Sequence, residues 1–377
     1  MKITFVAGAR PNFMKIAPII HELHRKQKQI DGITYRLVHT GQHFDRQMST
    51  TFFEDLGIPH PDNNLKAGGG TQAEQTALIM IGFEKELIMN PPNVVVVVGD
   101  VTSTMACAIT AKKMCLTVVH VEAGIRSGDM SMPEEVNRIV TDSITDHFFT
   151  TSEVANQHLI RSGAQTHQIH FVGNTMIDTL YQNLSRLKKP DFWNRHQLAE
   201  GGYFLMTLHR PANVDSPDQL LETLNIIMEN NGGVPVVFPV HPRTKKIIET
   251  LNYKHELLLT TEPLGYLEFI YLIKHSKAII TDSGGITEEA TALKIPCLTL
   301  RDSTERPETV THGSNELVGV DALNLIPYLQ KINRGTWKES TMPPLWDGRS
   351  AERIVSKLIN LSFTENLEVN AVSVKQH

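Results

Sequence analysis

The chain has 377 residues, 41% of them hydrophobic, enough to bury two cores, so two domains are expected. A formal net charge of −5 excludes nucleic acid or an anionic membrane surface as the main partner, and the longest apolar run, Val94–Val98, is strand-sized, so no membrane span is expected. Three cysteines, Cys107, Cys115 and Cys297, lack metal-ligand spacing and read as reduced core residues of a cytoplasmic protein.

The N-terminal segment reads as a strand, Lys2–Val6, entering a glycine turn and not as a signal peptide. Further strands read at Thr34–His39, Val94–Val98, Thr117–Val121, His147–Thr150 and His170–Phe171. Helices read between them at Lys15–Lys26, Gln42–Leu56, Glu74–Met89, Ser103–Lys113, Pro133–Ile144 and Glu153–Ser162. The apolar runs do not alternate, as expected of parallel strands covered by helices on both faces. After Gly173 the pattern breaks, and Tyr181–Gly202 is polar and punctuated by Pro and Gly, a helix and linker. It restarts with strands at Tyr203–Leu208, Val234–Pro239, Leu257–Leu259, Ala278–Thr281 and Pro296–Leu300. The helices here are Pro217–Met228, Arg243–Leu251, Tyr266–Lys274 and Thr287–Leu293. A helix over about 350–362 closes the ordered chain, and residues 364–377 are polar and expected to fray.

The expected fold class is therefore α/β, with two doubly wound Rossmann-like domains, residues 1–180 and 181–349, facing a central cleft. The last helix packs back on the first domain. Ligands in such sheets sit beyond the carboxyl ends of the strands, and the chemistry-bearing residues cluster there.

The first strand ends in Gly8-Ala9-Arg10-Pro11, with Lys15 one turn on, a glycine turn opening a helix beside two cations and suited to an anion. Neither a G-x-G-x-x-G nor a G-x-x-x-x-G-K-[ST] pattern occurs, so no nicotinamide cofactor is expected. Val98-Gly99-Asp100 ends an apolar strand in an acid that is either an N-cap or a functional group. Glu122, after His120-Val121, is poorly explained by capping. Glu134 opens a helix, where it serves the helix dipole or chemistry, and Arg138 one turn on is placed to pair with it. Three carboxylates at one sheet rim are expected to raise one another's pKa and to exchange protons near neutrality.

In the second half, His209-Arg210 and His241-Pro242-Arg243 end two strands. They are expected to face Thr281-Asp282-Ser283-Gly284-Gly285, where glycines at a helix start let backbone N–H groups approach a phosphate. Glu289 is placed to reach a sugar hydroxyl, and Thr304-Glu305-Arg306-Pro307 adds a polar loop. Phe269 either stacks on a base or packs helix on sheet. No Asp-x-Asp pair occurs, so metal-free chemistry is expected.

Together these segments resemble the non-hydrolysing UDP-N-acetylglucosamine 2-epimerases, in order over residues 1–320. Thr40-Gly41-Gln42-His43, Pro133-Glu134-Glu135, Asn137-Arg138 and Val172-Gly173-Asn174 join the motifs above in that likeness. The resemblance implies a fold of the glycosyltransferase B type, a homodimer, and interconversion of UDP-GlcNAc and UDP-ManNAc. It implies catalysis by Asp100, Glu122, Glu134 and His209. It also implies that Ser283, Gly284 and Glu289 grip diphosphate and ribose, that Phe269 lies against uracil, and that Arg10, Lys15, Arg138 and His241 line the site. Arg210 and Gly285 adjoin these groups and are assigned to the UDP-sugar.

The chain departs from the family at Asn12, where many relatives carry Glu. It departs again at Gly69, Gly70 and Asp45, where some bacterial members carry activator-binding Arg and Gln residues. Gln42 and His43 are retained as possible regulatory residues, and activation by a second UDP-GlcNAc is expected to be weak or absent. The rival readings are a same-mechanism epimerase of another UDP-2-acetamido sugar such as a diacetamido-uronate, the hydrolysing epimerase, a glycosyltransferase of this fold, and a non-catalytic nucleotide-sugar sensor.

Overall fold

The computed structural model describes residues 1–42, 50–240 and 242–361. The chain divides into two compact units, Met1–Thr179 with the segment from Pro344 onward, and Leu180–Pro343.

Among the described residues of the first unit, the strands are β1 (Lys2–Ala7), β2 (Thr34–His39), β3 (Asn63–Asn64), β4 (Val94–Val98), β5 (Thr117–Val121), β6 (His147–Thr150) and β7 (Ile169–Phe171). They form a parallel sheet in the order β3-β2-β1-β4-β5-β6-β7. The order reverses direction between β1 and β4, and the crevice at such a reversal is where open α/β sheets bind ligands. All five valines of β4 are buried, because helices cover both faces and β-branched side chains suit a pleated surface.

The first helix, Arg10–Gln27, starts on Asn12. The Asn12 side-chain oxygen accepts from the Gly8 and Ala9 N–H groups at 3.1 and 3.0 Å, and its amide donates to the Val98 carbonyl at 3.0 Å. A glutamate, which has no donor when ionised, would not make that last bond. Pro18 interrupts the helix interior and withholds the N–H that the Met14 carbonyl would accept. The Thr179 hydroxyl donates to that carbonyl at 2.6 Å instead. Residues 350–361 are helical, capped by Asp178, which accepts from the N–H groups of Ser350 and Ala351 at 3.1 and 2.7 Å.

Among the described residues of the second unit, the strands are β8 (Phe204–Thr207), β9 (Val236–Pro239), β10 (Leu258–Thr261), β11 (Ala278–Thr281), β12 (Cys297–Thr299) and β13 (Asn315–Leu317). They form a second parallel sheet, ordered β10-β9-β8-β11-β12-β13. Its reversal falls between β8 and β11, so His209 and Ser283 follow the two strands that flank it.

Several expectations are corrected. The strands β3 and β13 are absent from the sequence reading, since Asn63-Asn64 and Asn315-Glu316-Leu317 carry little of the β-branched signature of a strand. The helix Leu325–Asn333 was also missed, because Pro327 reads as a breaker although it sits harmlessly in the first turn. The helix expected from Gln42 is described from Thr50, residues 43–49 lying outside the described residues. Cys107 and Cys297 are buried, but Cys115 is exposed, in the turn that follows the helix Thr102–Lys113.

Candidate active site

In the first unit the acids arrive at the carboxyl ends of β4 and β5, each with a cation. Arg138 donates to Asp100 Oδ2 from Nε and Nη2 at 3.0 and 2.6 Å. Its Nη1 donates to Glu135 Oε2 at 2.7 Å. The expected Glu134–Arg138 pair is therefore replaced by Arg138 with Asp100 and Glu135. Residues three and four apart both face one side of a helix, so spacing alone did not choose between Glu134 and Glu135. Burial would raise the Glu135 carboxyl, but the Ser127 N–H, Arg138 and the Gly128 N–H hold it below the usual range. Glu134 is half-buried in the first turn of the helix Pro133–Ile144.

Glu122 follows β5 in a left-handed conformation, φ 72°, which costs a non-glycine residue about 1 kcal/mol or more. Lys15, from the helix that β1 feeds, contacts its carboxylate directly. Gly99 has φ 70°, and a Cβ there would lie 3.2 Å from Asn12 Nδ2 and 3.4 Å from Lys15 Nζ. Glycine thus lets the β4 turn close onto the β1 turn. Asp100 and Glu122, expected to crowd one another, are each matched by a basic side chain. Arg10 opens its helix half-buried, with its guanidinium 5.2 Å from the Phe52 ring centroid.

Gln42 is held by the same turns. Its Oε1 accepts from the Ser103 N–H and hydroxyl at 3.0 and 2.6 Å, and its carbonyl accepts from Gln75 Nε2 at 3.2 Å. Two expected residues, His43 and His241, lie outside the described residues.

In the second unit the organising group is one absent from the expected site residues, Asp282. It is fully buried and accepts from the N–H groups of His209 and Arg210 at 3.0 and 2.8 Å and from Asn213 Nδ2 at 3.1 Å. The His209 ring lies against it, Nδ1 to Oδ1 at 2.8 Å. Burial opposes its charge, yet His209, Arg210 and Asn213 keep its carboxyl below the usual range. Arg210 Nε donates to the Asp282 carbonyl at 3.1 Å. The available signal was an acid at the end of a fully buried strand, Ala278–Thr281, much as Asp100 follows β4.

Ser283 precedes the helix Gly284–Leu293, which starts three residues earlier than expected. Neither Gly284 nor Gly285 has positive φ, and a Cβ on Gly285 would meet nothing within 4 Å. Glycine here leaves open space over unpaired helix N–H groups, where an anion is favoured. Beside Gly284 stands Arg301, paired with Glu305 at 2.6 Å, and Arg306 contacts Glu288. Burial opposes the Glu305 charge, but Arg301 leads in holding its carboxyl at about 2.

Glu289 is buried. Desolvation, then the charge of Glu288, push its carboxyl up to about 8, and the Tyr266 hydroxyl lies next to it without an aligned hydrogen bond. Phe269 packs against the core of Tyr203, Leu205 and Ile279 and is half-buried, with part of its surface left exposed. Among the described residues no group of three or more His, Cys, Asp or Glu side chains is placed to hold a metal ion, and no helix is long and apolar enough to cross a membrane.

The family profile described as UDP-N-acetylglucosamine 2-epimerase matches residues 25–359. A Methanocaldococcus jannaschii UDP-N-acetylglucosamine 2-epimerase is 41% identical over 94% of this chain and 98% of its own. A Pseudomonas aeruginosa UDP-2,3-diacetamido-2,3-dideoxy-D-glucuronate 2-epimerase is 39% identical over 96% of this chain and 100% of its own. The crystal structure of a Methanocaldococcus jannaschii UDP-GlcNAc 2-epimerase in complex with UDP-GlcNAc and UDP superimposes with a TM-score of 0.83. It is 40% identical, covering 96% of this chain and 100% of that one.

Proposed function

Because this chain belongs to the UDP-N-acetylglucosamine 2-epimerase family, isomerases of the glycosyltransferase B type of fold, we propose that it interconverts UDP-GlcNAc and UDP-ManNAc through a 2-acetamidoglucal. The C2–H bond of a hexose is too weak an acid to lose its proton unaided. As the C1–O bond to UDP breaks, positive charge at C1 acidifies that hydrogen, and a carboxylate takes it. Elimination leaves a C1–C2 double bond and UDP. A proton then returns to C2 on the opposite face as a diphosphate oxygen re-forms the bond to C1, and the centre is inverted.

This needs proton-handling groups on both faces of the ring and a cationic, donor-rich cradle for the departing diphosphate. Asp100, Glu122, Glu134 and His209 are assigned the first task. Arg10, Lys15, Arg210, His241 and the Ser283-Gly284-Gly285 turn are assigned the second, Glu289 the ribose and Phe269 the base. Arg138 positions Asp100. The chain carries this out as a cytoplasmic homodimer, supplying ManNAc-type sugars for surface polysaccharide.

The observation that carries the reading is the pairing of Asp100 with Arg138 and of Glu122 with Lys15, which sets two acids, each against a basic side chain, at the carboxyl ends of adjacent strands. Incubation with UDP-GlcNAc in D2O, followed by NMR, tests it. UDP-ManNAc carrying deuterium at C2 is the expected product. Retention of protium at C2, or accumulation of free UDP and ManNAc, overturns it.

The full-length likeness to the Pseudomonas aeruginosa enzyme supports a second reading, the same chemistry on a UDP-2,3-diacetamido-uronate. Turnover of the two substrates side by side separates them.

A further inference from the structure

His120 lies on β5 with 1% of its surface exposed, and each ring nitrogen faces an acceptor. Nδ1 is 2.7 Å from Asp142 Oδ1, and Nε2 is 2.7 Å from the Gly99 carbonyl. A carbonyl oxygen only accepts, so Nε2 carries a hydrogen, and the carboxylate calls for a second on Nδ1. Asp142 Oδ2 in turn accepts from Arg126 Nη1 at 2.6 Å and from the Gly124 N–H at 3.1 Å. Burial opposes the charge of Asp142, but His120 and then Arg126 hold its carboxyl below the usual range.

A buried chain of bonds therefore runs from Arg126 through Asp142 and His120 to Gly99, and the peptide gripped at its end is the one that leads into Asp100. The ring also joins three acid-bearing segments: the β4 end with Asp100, β5 two residues before Glu122, and the helix that starts beside Glu134 and carries Asp142. A network this buried, with every partner satisfied, fixes geometry more tightly than packing alone. We infer that His120 is a positioning residue that, through its Nε2–H, fixes the Gly99–Asp100 peptide and so places the Asp100 carboxylate for proton transfer at C2. The inference rests on the role proposed above for Asp100.

Two near-isosteric variants test it. Asn puts its amide nitrogen where Nδ1 stood, and Gln puts it where Nε2 stood, so His120→Gln keeps the grip on Gly99 and His120→Asn loses it. His120→Asn is expected to lower kcat for C2 deuterium incorporation by about 20- to 100-fold, and His120→Gln by no more than about 5-fold. In both, UDP affinity by calorimetry should stay within about 2-fold and KM within about 3-fold, because the chain of bonds lies wholly within the first unit and the diphosphate turn belongs to the second.

Equal losses in the two variants, losses that track melting temperature or UDP affinity, or full turnover in His120→Asn would overturn the inference. Should His120→Asn fail to fold, Asp142→Asn serves instead. Its amide can donate to a bare Nδ1 while its oxygen keeps Arg126 and Gly124, leaving Nε2–H on Gly99, so a fall beyond about 5-fold at unchanged melting temperature counts against the inference. Asp100→Asn separates the two levels of the argument. Undiminished turnover there overturns the role of Asp100 and this inference with it, whereas a dead Asp100→Asn with equal Asn and Gln losses at His120 overturns this inference alone.

Discussion

The His209 ring is tied by Nδ1 to Asp282 Oδ1 at 2.8 Å, with 56% of the histidine side chain exposed and none of the aspartate. A buried carboxylate that accepts a hydrogen bond from Nδ1–H leaves Nε2 as the nitrogen open to the role proposed for His209 and fixes the direction in which it points. Removing either member should abolish the same function. His209→Ala and Asp282→Asn are each expected to lower kcat by on the order of 10²–10³, and the double variant to be no worse than the poorer single. Steady-state rates of C2 deuterium incorporation measure this. Multiplicative losses in the double variant would show that the two act separately.

The contact between Lys15 and Glu122 sets up a stability prediction. Glu122 keeps only 9% of its side chain exposed, so Lys15→Met leaves a largely buried carboxylate without that cation, at a cost of about 3 kcal/mol. Lys15→Met with Glu122→Gln removes both charges and should recover most of the loss in melting temperature, while turnover stays low. A double variant no more stable than Lys15→Met would mean that the pair is not coupled.

The pairs Asp100–Arg138 and Glu122–Lys15 also mark how far the sequence is readable. Val98-Gly99-Asp100 and Val121-Glu122 stood out because an apolar strand ending in an acid breaks a local rule, and such breaks concentrate at functional sites. Lys15 and Arg138 were legible as cations near helix starts, but their partners were not. Lys15 reaches Glu122 across more than a hundred residues of chain, and Arg138 found Asp100 and Glu135 where helical spacing equally allowed Glu134. Asp142 gave no signal, and His120 none beyond its place before Val121-Glu122, since a histidine inside a strand and an aspartate inside a helix acquire meaning only when the packing of that helix on the sheet sets them 2.7 Å apart. Asp282 lies inside a motif whose glycines suit a phosphate, a signal that says nothing of the carboxylate beside them.

The helix Gln72–Met89 turns Leu78, Ile81 and Ile88 outward, 50%, 54% and 66% exposed and spaced for one face. Val136 and Ile139 stand outward on Pro133–Ile144, and the helix Thr102–Lys113 packs against both of these helices. A second copy of the chain would cover such a layer, as the homodimer reading requires. Ile81→Asp combined with Ile88→Asp is expected to shift the protein to monomer in sedimentation velocity at micromolar concentration. A wild-type monomer at the same concentration would refute the homodimer.

Gly69 and Gly70 both adopt positive φ, 82° and 78°, and offer no side chain where an activator would need Arg and Gln. The side-chain oxygen of Gln42 is already engaged by Ser103. Initial rates against UDP-GlcNAc should therefore follow a hyperbola with a Hill coefficient of about 1. A sigmoidal curve that Gln42→Ala makes hyperbolic would establish substrate activation after all.

The ribose role proposed for Glu289 carries a prediction about protons. Burial first, and Glu288 second, raise its carboxyl from 4.5 to about 8, so the empty folded protein holds a proton there that the unfolded chain gives up. A raised carboxyl makes the folded state bind more protons between these values, so its contribution falls as pH rises through that window and the full penalty remains above about pH 8. Glu289→Gln should thus melt several degrees higher than wild type at about pH 9 and show no advantage near pH 4.5. Ribose hydroxyls donate to an ionised carboxylate far better than to a carboxylic acid, so UDP binding should expel the proton. Calorimetry near pH 7 in buffers of different ionisation enthalpy is expected to show release of up to about one proton per UDP in wild type and none in Glu289→Gln. Binding enthalpies that do not change with buffer would place the ribose elsewhere.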